Sequence, residues 1–263
     1  MRISASDFIL FCHDPAENVR RLSRIVPEVE LMIDGDAWDN SSDGWSCQKE
    51  QLQGCGTRLS IHPPAWDVNI SAPIRALRDT AMELNRKAAQ FGAAVGARQI
   101  VFHPGYYDSA SSFSRTKAID HCFEGLEDLI RTAKPLGMTI GFENIAGPSM
   151  ALFTQEEYVH VLDGIDPCVK YLLDVGHANM NAWDIPAVID STAERVCAFH
   201  LHDNDGTGDA HHPICTGTIP WENVFSSMRQ LPKDVDYILE YATGTPLSEL
   251  ERGKDILLQH LEF

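Results

Sequence analysis

Six short apolar runs in this sequence each close on an imidazole or a carboxylate side chain. The closing residues are His62, His103, Glu143, Asp174, His200 and Glu240. Nitrogen and oxygen donors of these types suit zinc, manganese and related divalent ions. A buried carboxylate without a partner or a metal ion is energetically costly. It is therefore hard to explain why six strands would each end in such a polar residue if the six residues had no common role. The pattern therefore predicts one shared metal centre.

The apolar runs are predicted strands, and amphipathic stretches separate them. The clearest helical periodicity spans Pro73–Phe91, and Pro73 and Pro186 suit first helical turns. The predicted strands are Ile3–Phe8, Val29–Ile33, Arg58–His62, Gln99–His103, Thr139–Glu143, Tyr171–Asp174, Cys197–His202 and Tyr237–Glu240. The other predicted helices are Arg115–Ala133, Thr154–Leu162, Ile185–Ala193, Trp221–Leu231 and Leu247–His260.

Strands that alternate with helices predict a parallel sheet with helical crossovers. The length of 263 residues suits closure into a single α/β domain, a (β/α)8 TIM barrel over residues 1–263. No Gly-x-Gly-x-x-Gly motif follows the first strand, which argues against dinucleotide binding. In a barrel the carboxyl ends of all strands meet at one mouth, so the six polar endings should converge there.

The charge distribution limits the classes of partner. The chain has 21 basic and 38 acidic residues, a net charge of −17. Neither Lys nor Arg occurs in residues 102–114, 142–169, 171–194, 196–228 or 240–251, which surround the predicted mouth. Duplex DNA binding depends on several cationic phosphate contacts, so we expect no nucleic-acid partner. Arg is also the side chain that usually binds phosphate groups, so its absence from these stretches favours an unphosphorylated substrate. Backbone amides of the Gly-Thr repeats are an alternative way to bind a phosphate group.

The cysteines and the N-terminal segment predict a cellular location. The seven cysteines include no Cys-x-x-Cys pair, as is typical of reduced thiols in a cytosolic protein. The apolar run Phe8–Phe11 is too short for a signal peptide or a membrane span. We expect a cytoplasmic protein without membrane association. The sequence leaves open whether the protein forms a homo-oligomer.

Several motifs together resemble the xylose isomerase-like TIM barrel superfamily, which includes sugar isomerases, sugar epimerases and zinc-dependent abasic-site endonucleases. They are HPG at 103–105, ENIAG at 143–147, DVGHAN at 174–179, HLHDND at 200–205 and LEY at 239–241. The resemblance runs in order from His62 to Glu240. It implies that the shared metal ligands are Glu143, Asp174, His200 and Glu240.

Members of the superfamily differ in the number of ions that they hold. Endonuclease members bind three zinc ions through five further ligands, which the resemblance places at His62, His103, His177, Asp209 and His211. In single-metal epimerases the position of His177 contacts the substrate instead. We therefore expect one divalent ion (zinc, manganese, magnesium or cobalt), with ligands present for up to three.

The function that the resemblance implies is a metal-dependent sugar isomerase or epimerase acting on a small sugar or hydroxy-carbonyl compound. Glu143 or Glu240 would remove the proton beside the carbonyl, the opposite glutamate would return it, and His177 would orient a hydroxyl group. The candidate substrate-binding residues are Trp66, Tyr106, Asn144 and His202.

Three alternatives stay open at this point. A keto-polyol dehydratase would use the same proton abstraction, followed by loss of hydroxide. A zinc-dependent phosphodiesterase of the abasic-site endonuclease type would use the larger ligand set. A non-catalytic barrel would only bind sugar. Many similar epimerases carry an Arg soon after the strand-7 ligand, whereas this chain has none before Arg229, which leaves the substrate undefined.

Overall fold

Eight parallel strands pair in chain order, and β8 closes the barrel against β1. The computed structural model describes residues 2–11, 13–38, 45–108 and 113–261. The strands are β1 Arg2–Ser6, β2 Glu28–Met32, β3 Arg58–His62, β4 Gln99–Phe102, β5 Thr139–Glu143, β6 Val169–Asp174, β7 Val196–Leu201 and β8 Asp236–Leu239. The predicted (β/α)8 barrel is confirmed.

Nine α-helices cover the outside of the barrel in the described ranges. They are α1 Pro15–Leu22, α2 Ser46–Leu52, α3 Arg75–Ala94, α4 Arg115–Ala133, α5 Gln155–Tyr158, α6 Val175–Met180, α7 Ile185–Thr192, α8 Trp221–Met228 and α9 Leu247–Leu261. None of the described helices combines the length and the apolar character that a membrane crossing needs.

Several predicted boundaries were wrong for local reasons. Strand β1 ends at Ser6, because the Ser6 hydroxyl accepts a hydrogen bond from Phe8 N and starts a 3-10 helix there. The helix predicted over 154–162 is a single turn that begins in a capping box between Thr154 and Glu157. Pro73 lies before α3, which begins at Arg75, whereas Pro186 does stand in the first turn of α7.

The interior of the barrel has three levels, because alternate residues of each strand face inward. Charged residues, among them Arg2, Glu28 and Asp236, surround a cavity of about 390 Å³ at the amino-terminal end of the strands. A small apolar cluster occupies part of the middle level, formed by Val101, Leu172, Cys197, Ala198 and Ile238. The imidazoles and carboxylates of the predicted centre lie above this cluster, at the carboxyl ends of the strands.

A buried tyrosine fixes the two strands that end in acidic residues. The hydroxyl group of Tyr158, at the end of α5, lies 3.1 Å from the carbonyl oxygen of Phe142 and 2.8 Å from that of Leu172. These carbonyls belong to β5 and β6, one or two residues before Glu143 and Asp174. The contact therefore holds the ends of both strands in place.

The described cysteines are all unpaired, which agrees with the prediction of reduced thiols. Cys12 lies outside the described residues. The cytoplasmic location stays a prediction.

Candidate metal centre

Four donors converge at the centre of the mouth. His200 Nδ1 lies 3.0 Å from Glu143 Oε1, 3.4 Å from Glu240 Oε2 and 3.8 Å from Asp174 Oδ2. All four side chains are buried. Three carboxylates and one imidazole at these separations form a donor set that suits a divalent cation.

The pKa shifts in this group reflect several charges that are buried close together. Burial disfavours a charged His200, but the carboxylates of Glu240 and Glu143 outweigh burial and raise the pKa of His200 well above its usual value. Burial raises the pKa of Glu240, whereas the neighbouring His200 holds the pKa of Glu143 well below its usual range in spite of burial. A bound ion would neutralise the carboxylates that a proton on His200 neutralises only in part.

A second donor group shares Glu143. His103 Nε2 lies 2.7 Å from Glu143 Oε2, and the His62 ring packs edge to face on His103 at 4.7 Å between centroids. His103 Nε2 and Glu143 Oε2 are both buried without a hydrogen bond of normal angular geometry. These two atoms, together with His62, form a group that could hold a metal ion. Glu143 thus offers one oxygen to each of two neighbouring groups.

The third donor group joins α6 to the loop after β7. Asp209 Oδ2 lies 3.2 Å from His177 Nε2 and 3.2 Å from His211 Nε2. His177 Nδ1 lies 2.8 Å from the carbonyl oxygen of Asn144, and His211 Nδ1 lies 3.0 Å from that of Glu240. Because a carbonyl only accepts, each Nδ1 carries a proton, and loss of the proton from each Nε2 would leave a lone pair there for a metal ion.

In the third group, protons on the histidine rings balance the charge of the neighbouring carboxylates when no ion is bound. Burial opposes protonation of His211, but Asp209 and Glu240 raise the pKa of His211 to about 9. Burial likewise opposes a charged His177, and Asp174 and Asp209 raise its pKa well above the usual value. His62 differs, since burial and the neighbouring His103 lower its pKa well below the usual value and leave it neutral.

Asp174 has two tasks at the start of α6. Its Oδ1 accepts a hydrogen bond from His177 N at 2.6 Å and so caps the helix that follows β6 without a loop. Its Oδ2 faces the ligand side, 3.1 Å from His202 Nε2. The sequence Asp174-Val175-Gly176-His177 therefore places Asp174, of the central group, and His177, of the third group, one helical turn apart.

The loop after β7 is anchored by Asp203, which is completely buried. Asp203 Oδ2 accepts hydrogen bonds from Trp221 Nε1 at 2.7 Å and from Thr216 N at 3.1 Å. The backbones of Asp203 and His212 also exchange two hydrogen bonds, Asp203 N to His212 O at 2.8 Å and His212 N to Asp203 O at 2.9 Å. These contacts fix the loop segment that presents Asp209 and His211.

A cavity of about 210 Å³ opens above the donors and is lined in part by Glu143, Glu240 and His177. Trp66 and Tyr106 also line it, as predicted for substrate-binding residues, and the Trp66 side chain is 54 % exposed. Among the lining residues that the structure describes there is no Lys or Arg. The described lining therefore offers a phosphate group neither a lysine nor an arginine.

Two other predicted substrate-binding residues are occupied elsewhere. Asn144 donates to Asp174 O at 2.9 Å and accepts from Asp174 N at 2.8 Å, so its amide joins β5 to β6. The ring of His202 stacks on His211 with centroids 3.8 Å apart, and it is fully buried. Neither residue lines the cavity: Asn144 holds the end of β6, and His202 lies among the donor atoms of the third group.

The sequence analysis missed Glu30, which lies on β2 and is fully buried inside the barrel. Its Oε1 is 2.9 Å from His200 Nε2, on the far side of the ring from the other carboxylates. The signal was present in the sequence, because a single acid interrupts the apolar segment Val29–Ile33. It was overlooked because only the ends of strands were considered.

Comparisons with known proteins agree with this architecture. The family model described as xylose isomerase-like TIM barrel matches residues 28–262. A Methanocaldococcus jannaschii protein, MJ1614, is 26% identical over 229 residues, 87% of either chain. L-ribulose-5-phosphate 3-epimerase UlaE of Salmonella typhi is 26% identical over 188 residues, 68% of this chain and 63% of its own length.

A solved structure described as a D-tagatose 3-epimerase-like protein superposes with a TM-score of 0.85 at 21% identity, covering 100% of this chain and 97% of its own. At that identity the superposition shows the shared fold alone. The family match extends over most of the chain and includes every donor of the three groups. The chain is therefore a member of the xylose isomerase-like TIM barrel family.

Proposed function

We propose that this protein is a metal-dependent sugar epimerase or isomerase that acts by proton transfer beside a carbonyl group. The observation that carries the proposal is the position of Glu143 and Glu240. They come from β5 and β8, both approach His200 Nδ1 within 3.4 Å, and both line the same cavity. The epimerase activity named for UlaE supports the same reaction class.

The residues present fit a single divalent ion at Glu143, Asp174, His200 and Glu240. Such an ion would polarise the substrate carbonyl and so acidify the adjacent C–H bond. Glu143 and Glu240 then act on the substrate carbon: one carboxylate accepts the proton, and the other delivers a proton to the opposite face. His177 lines the cavity, and its Nε2 faces Asp209. In this position the His177 ring can hold a substrate hydroxyl group.

The cavity favours an unphosphorylated ketose or a similar hydroxy-carbonyl compound. Its lining, as far as the structure describes it, includes no Lys or Arg that would pair with a phosphate group, and its histidines His177 and His211 face Asp209. The exposed indole of Trp66, beside Phe8 at 6.3 Å between ring centroids, offers an apolar face to a sugar ring. UlaE is named for a phosphorylated substrate, so we expect the two proteins to differ in this respect.

Isotope exchange tests the proposal directly. The purified protein, loaded with manganese or cobalt, is incubated in D2O with a panel of ketoses and their phosphorylated counterparts. We expect deuterium at the carbon next to the carbonyl, detected by NMR, and a new epimer or isomer only with the unphosphorylated sugars. Loss of a hydroxyl group from the product would indicate the dehydratase reaction. Absence of exchange with every sugar would refute the proposal.

Hydrolysis of a phosphodiester is a second candidate, and the three donor groups favour it. His62, His103 and Glu143 form one group, Glu143, Asp174 and His200 another, and His177, His202, Asp209 and His211 a third. Ions held this way would suit displacement at phosphorus. Zinc counts per chain, together with assays on bis(p-nitrophenyl) phosphate and on abasic-site DNA, separate the candidates. Three zinc ions with phosphodiester cleavage would favour hydrolysis over the sugar reaction.

A further inference from the structure

Glu30 is an acid in the middle level of the barrel interior, directly below the ligands. It lies on β2 and is 0% exposed. Its neighbours Val29 and Leu31 face the helices and belong to the main hydrophobic core. A buried carboxylate in this position needs a hydrogen-bond donor, because an unpaired charge would strongly destabilise the fold.

Two donors meet this carboxylate. Glu30 Oε2 accepts a hydrogen bond from the hydroxyl group of Ser60 at 3.2 Å, and Glu30 Oε1 lies 2.9 Å from His200 Nε2. The described contacts of Glu30 include no Lys or Arg. His200 is therefore its strongest partner.

The two nitrogens of His200 face different surroundings. Nδ1 faces Glu143, Glu240 and Asp174, and Nε2 faces only Glu30 among the ion pairs of the described residues. A metal ion held by the three carboxylates must therefore take the lone pair of Nδ1. In the neutral ring that lone pair exists only when the proton is on Nε2.

We propose that Glu30 is a positioning residue that holds the Nε2–H tautomer of His200 and thereby presents Nδ1 to the metal ion. The inference rests on the metal centre of the proposed function. Glu30 is not among the residues that line the cavity, and it contacts the ring nitrogen of His200 opposite the one that faces Glu143, Asp174 and Glu240, so it acts through the ring that it orients. A carboxylate behind a metal-bound histidine also fixes the plane of the ring and increases its basicity as a ligand.

The test compares cobalt binding to the whole protein with that of two variants. In Glu30→Gln the amide group can turn its NH2 towards His200 Nε2, which favours the tautomer with the proton on Nδ1. We expect cobalt affinity, measured by competition with a chromophoric chelator, to fall about 10- to 100-fold. Glu28→Gln is the matched control: it makes the same change two residues earlier on β2, where the carboxylate pairs with Arg58 and Arg2.

Spectroscopy separates positioning from a general loss of structure. Nitrogen-15 NMR of the histidine rings in the zinc-loaded wild type should show His200 protonated at Nε2 and coordinated through Nδ1. Glu30→Gln should change that pattern and the visible spectrum of the cobalt protein, while the far-ultraviolet circular dichroism stays the same. If Glu30→Gln does not fold, Glu30→Asp, which keeps the charge but withdraws it, takes its place with the same readouts.

The outcomes distinguish this inference from the proposed function. Wild-type affinity and spectra in Glu30→Gln would overturn the inference even if the protein epimerises sugars. An equal loss in Glu28→Gln would overturn it as well. A wild type that binds cobalt but converts no ketose would refute the sugar reaction and leave the role of Glu30 intact. A wild type that binds no divalent ion would overturn both.

Discussion

The carboxylate of Asp203 accepts a hydrogen bond from the indole nitrogen of Trp221 at 2.7 Å, and so joins the end of β7 to the start of α8. The residues between them form the loop that carries Asp209 and His211. The precision of the third donor group therefore depends on a buried acid that is not itself close to the ion site.

The first prediction concerns Asp203→Asn. The amide keeps one oxygen for Trp221 Nε1 and Thr216 N but turns an NH2 group towards the backbone donors Asn204 N and Ile219 N. We expect faster proteolysis within the loop and about a 10-fold loss of zinc affinity at the third group, because supporting contacts of ligands have effects of this order. Limited proteolysis and zinc titration measure both. Asp205→Asn, an exposed acid of the same loop, should behave as the wild type.

The second prediction concerns Glu240→Gln and separates an enzyme from a sugar-binding barrel. An amide cannot exchange a proton with the substrate carbon, so deuterium exchange should fall by about 10²- to 10⁴-fold. Sugar binding, measured by calorimetry, should be largely kept, and metal content is measured in parallel to identify any loss of the ion. Glu251→Gln, an exposed residue of α9, serves as the control. Unchanged exchange in Glu240→Gln would contradict the assigned role.

The third prediction concerns Gly176→Ala in α6. A Cβ atom at this position would lie 2.0 Å from His202 Cε1, so the ring must move. That ring stacks on His211 and contacts Asp174, and it has no space to retreat because it is fully buried. We expect a loss of about 1–3 kcal/mol in the free energy of unfolding, together with weaker zinc binding. Urea unfolding measures the first effect. Gly208→Ala, which meets no atom within 4 Å, should cost much less.

The fourth prediction is a dependence on pH in the metal-free protein. The pKa of His211 rises from 6.5 to about 9 on folding, since Asp209 and Glu240 outweigh burial. A raised pKa means that the folded state binds the proton more tightly. The stabilisation is then fully present below pH 6.5 and is lost as the pH rises towards 9.

Metal ions require the deprotonated ring, so the increase in Tm on adding zinc should grow over the same pH range. Thermal unfolding with and without zinc, at pH 6.5 and at pH 9, measures the change. His211→Gln should flatten the profile, whereas His160→Gln, an exposed surface residue, should leave it unchanged. A zinc effect that shrinks with rising pH would show that His211 is not a ligand.

The sequence predicted the barrel and the places of the donor residues on it well, because both depend on short, regular patterns. His62, Glu143 and Asp174 are the last residues of β3, β5 and β6, where the apolar runs indicated them. His103 and Glu240 follow the last residue of their strands by one position. This one-residue difference does not move the two side chains away from the site, because the backbone continues beyond each strand in the same direction.

Other features depended on contacts that no local pattern reveals. The partner of Glu30 is 170 positions away in the chain, and only closure of the barrel brings β2 opposite β7. The role of Asn144 is decided by backbone groups of the next strand, and that of His202 by the space above Gly176. The short helices α1, α2 and α6 were not predicted.

The apolar cluster of Val101, Leu172, Cys197, Ala198 and Ile238 occupies part of the interior between the two cavities, which have no lining residue in common. We therefore expect sugar, product and chelator to reach the candidate ion site through the cavity at the carboxyl ends of the strands. A sugar bound in the cavity should shield the ion from EDTA. The rate of metal loss should therefore fall as the sugar concentration rises. For the same reason, each product molecule has to depart before the next sugar can enter.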